Sequence, residues 1–456
     1  MCTLFALTVA HVGFAPGTRE ATAAERPNVV LIVTDDQRAD SLWGMPKVRK
    51  LLGARGVTFT NAVVSNPLCC PSRAAILTGT YSHTNGVWRN APPDGGFEDF
   101  DDRSTIATWL DRDGYRTGLF GKYMNGYRRT DGAYVPPGWD RWFVFRNSRY
   151  YDYSISDEGD LVDFGDDERD YSNRVLTREL LRFVEAGRQP FFAMFTPYAP
   201  HKPSIPAPGD EDAFPSVGLP PSLAFDEADV SDKPTWVRSL RRIGSEKETK
   251  LVEGHRDAQR SLLAVDRTVR AVVRTLEARG VLQDTVIVFT SDNGLSLGEH
   301  RWASKRAPYE ESIRVPLVIR YDALGTAGAV NDAVVANIDL APTIAALTGV
   351  STQGADGISL ETILRNPSST PAREGIVLEH LAKRNDVIPT YCGFRTATYS
   401  YVRYASGEEE LYDLARDPDQ LRNAASVVSE RRTLESLRRT TRTRCTPPDD
   451  TFSWGG

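Results

Sequence analysis

The sequence predicts an α/β protein: a large mixed, mostly parallel sheet flanked by helices, followed by a smaller C-terminal α+β unit containing an antiparallel sheet. Three observations lead there. Four short apolar runs recur along the chain, amphipathic segments lie between them, and acids, amides, a lysine or a histidine follow the runs. Strands buried on both faces read as continuous β-branched and aromatic runs, and their alternation with helices is the pattern of a parallel sheet.

The runs are "NVVLIVTDD" (28–36), "YRTGLFGKYMNGY" (115–127), "PFFAMFTPYAPHKP" (190–203) and "TVIVFTSDNG" (285–294). Between them "STIATWLDRDG" (104–114) predicts a helix capped by its serine and closed by glycine. "AQRSLLAVDRTVRAVVRTLEARG" (258–280) predicts a long amphipathic helix with the same closing glycine. Residues 202–250, rich in Pro, Asp and Ser, read as a long surface excursion forming a rim. "LRNPSSTPAREG" (364–375) reads as a linker, and 391–414 alternates like antiparallel strands around a glycine turn. The expected division is a leader (1–25), a catalytic domain (26–362) and a C-terminal α+β subdomain (363–456).

With 456 residues, 40% of them hydrophobic, and a net charge of −6, the chain has no basic excess to suit nucleic acid or an anionic membrane surface. No apolar run is long enough for stable membrane insertion. The first residues resemble the apolar part of a signal peptide ending in small residues near Ala21–Ala24, although the usual positive start is missing. Export to a secreted or extracytoplasmic location is the favoured reading, with a disordered N-terminal tail as the alternative. If the protein is exported, Cys392 and Cys445 can pair, which the sequence leaves open.

The ends of the runs carry the chemistry. Asp35 and Asp36 close one run, and Asp292 and Asn293 close another. Paired acids at a strand end repel, and a divalent cation relieves that repulsion. Oxygen ligands without a His/Cys cluster favour Ca²⁺, or Mg²⁺, over zinc. Asp-Asn-Gly alone reads as an ordinary turn, so the metal reading depends on the two ends being neighbours. In open α/β sheets ligands collect at the C-terminal strand ends, where Lys122 and His201 also fall.

The stretch "PLCCPSRAAILTG" (67–79) sets Cys69 beside a predicted helix start, where Pro71 suits the first turn and backbone N–H groups favour an anion. Arg73, Lys122, His201 and Lys305 can then form a cationic bowl for a tetrahedral anion or sulfate monoester. Singly, each of these basic residues reads as a solvated group or an ion-pair partner.

This stretch resembles the sulfatase family signature around Cys-x-Pro-Ser-Arg. The likeness continues through "GKYMNGY", "APHKP", "TSDNGLSLGEH", "SKRAPYEESIRVPL" and "ELYDLARDPDQLRN". Within the family, "NSRYYDY" (147–153) and "GKYMNGY" are most similar to N-acetylglucosamine-6-sulfatases. The resemblance implies an alkaline-phosphatase-like fold, and it explains the paired cysteines. Cys69 is the precursor of formylglycine, made by a formylglycine-generating enzyme that reads Pro71 and Arg73, and Cys70 is a buried filler at a variable position. The hydrated aldehyde attacks sulfur, the alcohol leaves, and the second hydroxyl releases sulfate.

By the same resemblance Asp35, Asp36, Asp292 and Asn293 hold calcium together with residue 69, and Arg73 steadies the hydrate. Lys122 and Lys305 bind sulfate oxygens, and His201 serves as general acid. Many sulfatases carry Lys-Trp-His where this chain has "KYM" (122–124), so Asn125 becomes a substitute substrate contact. His83 and His300 are further candidates for substrate binding, each equally readable as structural. The implied substrate is a sulfated carbohydrate, an N-acetylglucosamine-6-sulfate unit of a glycosaminoglycan, with specificity set by loops 140–165 and 202–250. The rivals are an arylsulfatase, a hydrolase of phosphonate monoesters or phosphodiesters, and a silent carbohydrate-binding relative in which Cys69 stays a thiol.

Overall fold

The structure is a computed structural model that describes residues 26–127, 133–187, 189–447 and 452–454, so the expected leader lies outside the described residues. The first strands in chain order are β1 (Asn28–Thr34), β2 (Val57–Val63), β3 (Arg116–Gly121), β4 (Arg141–Phe145) and β5 (Tyr153–Asp157). They are followed by β6 (Asp160–Phe164), β7 (Phe191–Thr196), β8 (Thr285–Ser291), β9 (Leu317–Arg320) and β10 (Ala329–Ala336). These form one sheet in the order β10-β2-β9-β8-β1-β7-β3-β4-β5-β6. The centre, β8-β1-β7-β3-β4, is parallel throughout, while β9, β5 and β6 run against their neighbours.

Alternation along β1 explains why residues 29–33 contain no polar position. Val29, Leu31 and Val33 join the core on one face, with the helices Ile106–Arg112 and Leu340–Thr348. Val30 and Ile32 join the core on the other, with Ser172–Glu185 and Ser245–Ala278. Both faces of the strand are dry over residues 29–33, and these five side chains are all apolar.

Two helices differ from expectation. The cap of Ile106–Arg112 is Thr105, whose hydroxyl accepts from Thr108 N in a capping box, while Ser104 accepts from the Trp109 indole. The long helix starts at Ser245, thirteen residues before the amphipathic pattern begins. Its first turns are mostly exposed Glu and Lys residues, good helix formers with acids at the positive end of the helix dipole, which no hydrophobic period can reveal.

His255 of that helix is buried, and burial together with Arg38 lowers its pKa from 6.5 to about 4. The unfolded chain therefore binds more protons between those two values. Stability is expected to fall as pH drops from about 6.5 to 4, by on the order of 3 kcal/mol from this residue. Denaturation of the wild type and His255→Gln at pH 7 and pH 4 checks it, because the variant should lose that part of the acid sensitivity.

After the large sheet come β11 (Gly375–His380), β12 (Tyr391–Thr396), β13 (Tyr399–Tyr404) and β14 (Glu409–Asp413), an antiparallel sheet in chain order. The helix Arg431–Arg444 packs on it. Cys392 and Cys445 are joined in a disulfide, tying the end of this helix to β12 across 53 residues. A loop of that length predicts a loss of about 4 kcal/mol on opening the bond in the chain-entropy account. Thermal denaturation of Cys392→Ala/Cys445→Ala should show the corresponding drop in Tm.

Candidate active site

Register builds the site. Thr34 pairs with Ser291, so the residues that follow β1 and β8 leave the sheet side by side. Asp36 turns into the left-handed region at φ 66° and its N–H donates to Asp292 Oδ1 at 3.0 Å. Asn293 donates to Asp36 Oδ1 at 2.7 Å, while its own Oδ1 is buried without a partner. On the other side Gly121 ends β3 against Thr196 of β7. A Cβ there would lie 2.0 Å from the Thr196 carbonyl oxygen, so only glycine allows the strands to meet and carry Lys122 into the site.

The helix Cys69–Thr78 enters from the same end with all ten residues buried. Its free N–H at Cys70 donates to Asn90 Oδ1 at 2.8 Å. Cys69 Sγ lies 3.7 Å from Asp35 Oδ1 and receives Lys305 Nζ at 2.9 Å. One helical turn on, Arg73 Nε donates to Asp292 Oδ2 at 2.8 Å and Nη1 to the Lys122 carbonyl at 2.8 Å. Its Nη2 stands 3.8 Å from Asp35 with no hydrogen-bond partner. Lys122 Nζ donates to Asp35 Oδ2 and Lys305 Nζ to Asp36 Oδ1, both at 2.6 Å.

His201, after β7, holds Lys202 O with Nδ1 at 2.7 Å and points Nε2 at Asp36 Oδ2, 3.5 Å away. Its ring stacks on Tyr198, with centroids 4.8 Å apart. Three carboxylates, Asp35, Asp36 and Asp292, thus face three permanent cations, Arg73, Lys122 and Lys305. Burial would raise the Asp35 and Asp36 carboxyls, but Lys122 and Lys305 respectively, with His201, hold both below the ordinary value. Burial also opposes charge on Lys122 and Lys305, and Asp35 and Asp36 reverse it, keeping both lysines charged. At Cys69 burial prevails over the two lysines, and the thiol is pushed up. An unmodified Cys69 is therefore a poor nucleophile near neutral pH.

The residues fit a hard divalent cation. Asp35 and Asp292 bring carboxylate oxygens, and Cys69 its sulfur, to within 4.8 Å of one another. Asp35, Asp36 and His201 do the same, and Asn293 adds the unpartnered buried oxygen. Such an oxygen-rich set suits Ca²⁺ or Mg²⁺.

Of the other expected contacts, Asn125 lines the cavity above the site and also takes up Cys70, whose Sγ lies 3.5 Å from Asn125 Oδ1. His300 and His83 are not brought to the cavity. His300 is fully buried, bonded to Glu227 Oε2 at 2.6 Å and packed on Tyr309. His83 pairs with Glu379 and stacks on Tyr81, 5.2 Å between centroids. Their polar contacts are with the buried carboxylates of Glu379 and Glu227. The sequence reading missed Asn90 and Tyr198, loop residues with no periodic signal. It also passed over Arg146 and Arg149, although "NSRYYDY" overlaps that loop.

The family model described as Sulfatase matches residues 27–350. The chain belongs to the sulfatase family. It is accordingly a sulfuric ester hydrolase. A second model, N-sulphoglucosamine sulphohydrolase, C-terminal, matches residues 298–444. The chain is 33% identical to human N-acetylglucosamine-6-sulfatase over 466 residues, covering 91% of this chain and 83% of the relative. It is 30% identical to an arylsulfatase of Volvox carteri, covering 90% and 73%. One solved structure, of a protein in complex with its substrate D-glucosamine-2-N,6-O-disulfate, superposes with a TM-score of 0.81 at 26% identity, covering 92% of this chain and 97% of that one. This sulfatase contains, among the described residues, no helix long and apolar enough to cross a membrane.

Proposed function

We propose that this sulfatase removes the 6-O-sulfate of an N-acetylglucosamine-type sugar in a glycosaminoglycan, using formylglycine at position 69 and a calcium ion. The observation that carries the reading is Cys69 itself, held at a helix start between Asp35 and Lys305 beside an oxygen-rich ligand set. The likeness to N-acetylglucosamine-6-sulfatase supports the sugar. The Cys392–Cys445 disulfide supports export.

Asp35, Asp36, Asp292 and Asn293 would hold the cation. With formylglycine in place, the hydrated aldehyde at residue 69 would supply the nucleophilic hydroxyl, and the cation would raise its acidity. Arg73 fixes Asp292 and the carbonyl of residue 122, so the ligands and Lys122 share one frame. Lys122 and Lys305 neutralise sulfate oxygens as charge builds on them. His201, with Nδ1 committed to the Lys202 carbonyl, carries the transferable proton on Nε2 and delivers it to the departing sugar oxygen.

The test has two parts. The mass of the proteolytic peptide containing Cys69 should be lower than that of the thiol form, and the peptide should react with a hydrazide. Hydrolysis of N-acetylglucosamine-6-sulfate should then exceed that of an aryl sulfate and of a phosphonate monoester. An arylsulfatase reading, favoured by the Volvox relative, wins if the aryl ester is the better substrate. A thiol in folded, native-host protein removes the mechanism.

A further inference from the structure

We propose that Tyr391, on the C-terminal antiparallel sheet, is a positioning residue for sulfate-ester hydrolysis. Its hydroxyl fixes the main chain beside Lys305 and so holds the Lys305 ammonium where the reacting sulfate sits. The inference rests on the role given to Lys305 above.

Lys305 belongs to no helix or strand, so no regular hydrogen-bond ladder sets its backbone. Its Nζ nevertheless meets Asp36 Oδ1 at 2.6 Å and Cys69 Sγ at 2.9 Å. A flexible four-carbon stem keeps such a place only when its root is held by supporting contacts. The root is held from several sides. The Trp302 indole donates to the Lys305 carbonyl at 3.0 Å. At the next residue, Arg306 N donates to the carbonyl of Pro67 at 3.1 Å, two positions before Cys69. The Arg306 carbonyl accepts from the Tyr391 hydroxyl at 3.0 Å, and Arg306 Nη1 pairs with Asp386 at 3.0 Å. Arg306 has φ 80°, a left-handed conformation that a residue with a Cβ keeps only when its surroundings impose it.

Tyr391 is a rigid anchor for that bond. It pairs with His380 of β11 and Tyr404 of β13, and it is fully buried. Among the described residues its hydroxyl makes one hydrogen bond, the one to the Arg306 carbonyl. Burial pushes its ionisation up, so the hydroxyl keeps the proton it donates. None of the residues placed at the reacting centre lies in the C-terminal sheet. The sheet acts on that centre through Arg306, which is bonded both to it and to the segment entering the Cys69 helix.

The experiment measures Tm, and kcat and KM per formylglycine, for the wild type, Tyr391→Phe, Lys305→Gln and the double variant. The substrate is N-acetylglucosamine-6-sulfate, or an aryl sulfate if the sugar reading fails. Tyr391→Phe keeps the ring and removes the hydroxyl. It should lower kcat about three- to tenfold, the scale of one hydrogen bond, with KM within about twofold of wild type. On the Lys305→Gln background the same change should cost nothing further, because the two residues act through one ammonium. Asp386→Asn loosens Arg306 from its other end and should lower kcat in the same sense; if Tyr391→Phe does not fold, its cycle with Lys305→Gln carries the same outcomes. An unchanged kcat in Tyr391→Phe, even with a lower Tm, makes the tyrosine merely structural and overturns the proposal. A loss that multiplies with that of Lys305→Gln overturns it as well. If Lys305→Gln alone retains wild-type kcat, the role of Lys305 fails first and this inference falls with it.

Discussion

Cys69→Ser is expected to give a folded protein whose sulfate-ester hydrolysis is lower by roughly 10⁴-fold or more, the scale seen when a catalytic nucleophile is removed. The fold should tolerate the change. A hydroxyl is close to a thiol in size and can still meet Asp35 and Lys305, the two polar contacts of Cys69 Sγ. The chemistry should not survive. A serine that took the sulfuryl group would carry no second hydroxyl on the same carbon, and nothing in the site would expel sulfate. Paired measurements of turnover and Tm check both halves. A variant keeping a tenth of wild-type turnover would show that the nucleophile lies elsewhere.

Arg73→Met should be the most damaging single change to stability in the site, at about 3–5 kcal/mol. Methionine replaces the stem but not the charge, and the guanidinium is 1% exposed. Asp292 loses its 2.8 Å partner, Asp35 loses a nearby cation, and the Lys122 carbonyl loses its donor. Urea denaturation without divalent ions measures the loss. Added Ca²⁺ should recover part of it and stabilise the variant more than the wild type, because the ion binds the folded carboxylates and takes over the missing positive charge. A loss below about 1 kcal/mol would mean that Lys122 and Lys305 balance the three acids without help.

The central strands were legible because both of their faces are buried, which leaves an unbroken apolar run and no other reading. Asp35 and Asp292 could be suspected for the same reason: they interrupt such runs abruptly. Their adjacency was not legible, since it depends on the Thr34–Ser291 register, a pairing across 257 positions that no local pattern encodes. Lys305 illustrates the limit from another side. In "ASKRAPYE" it looks like any surface lysine, and only the fold brings its Nζ to Asp36 and Cys69. Histidines were the least legible. His201 reaches Asp36, whereas His300 supports a buried glutamate, and the letters around them do not separate the two roles. The first thirteen residues of the Ser245–Ala278 helix escaped notice because they have little apolar face to bury.

The depth of residue 69 has a consequence in time. Once its helix is packed, a side chain 1% exposed offers nothing to a protein-sized modifying enzyme. Its cover is not complete until β8 pairs with β1 and Asp292 meets Arg73, more than two hundred residues further along the chain. At a synthesis rate of about 5–20 residues per second that interval is roughly 10–45 s. On the formylglycine chemistry proposed above, oxidation of Cys69 therefore belongs to the emerging chain, and a molecule that folds first stays a thiol.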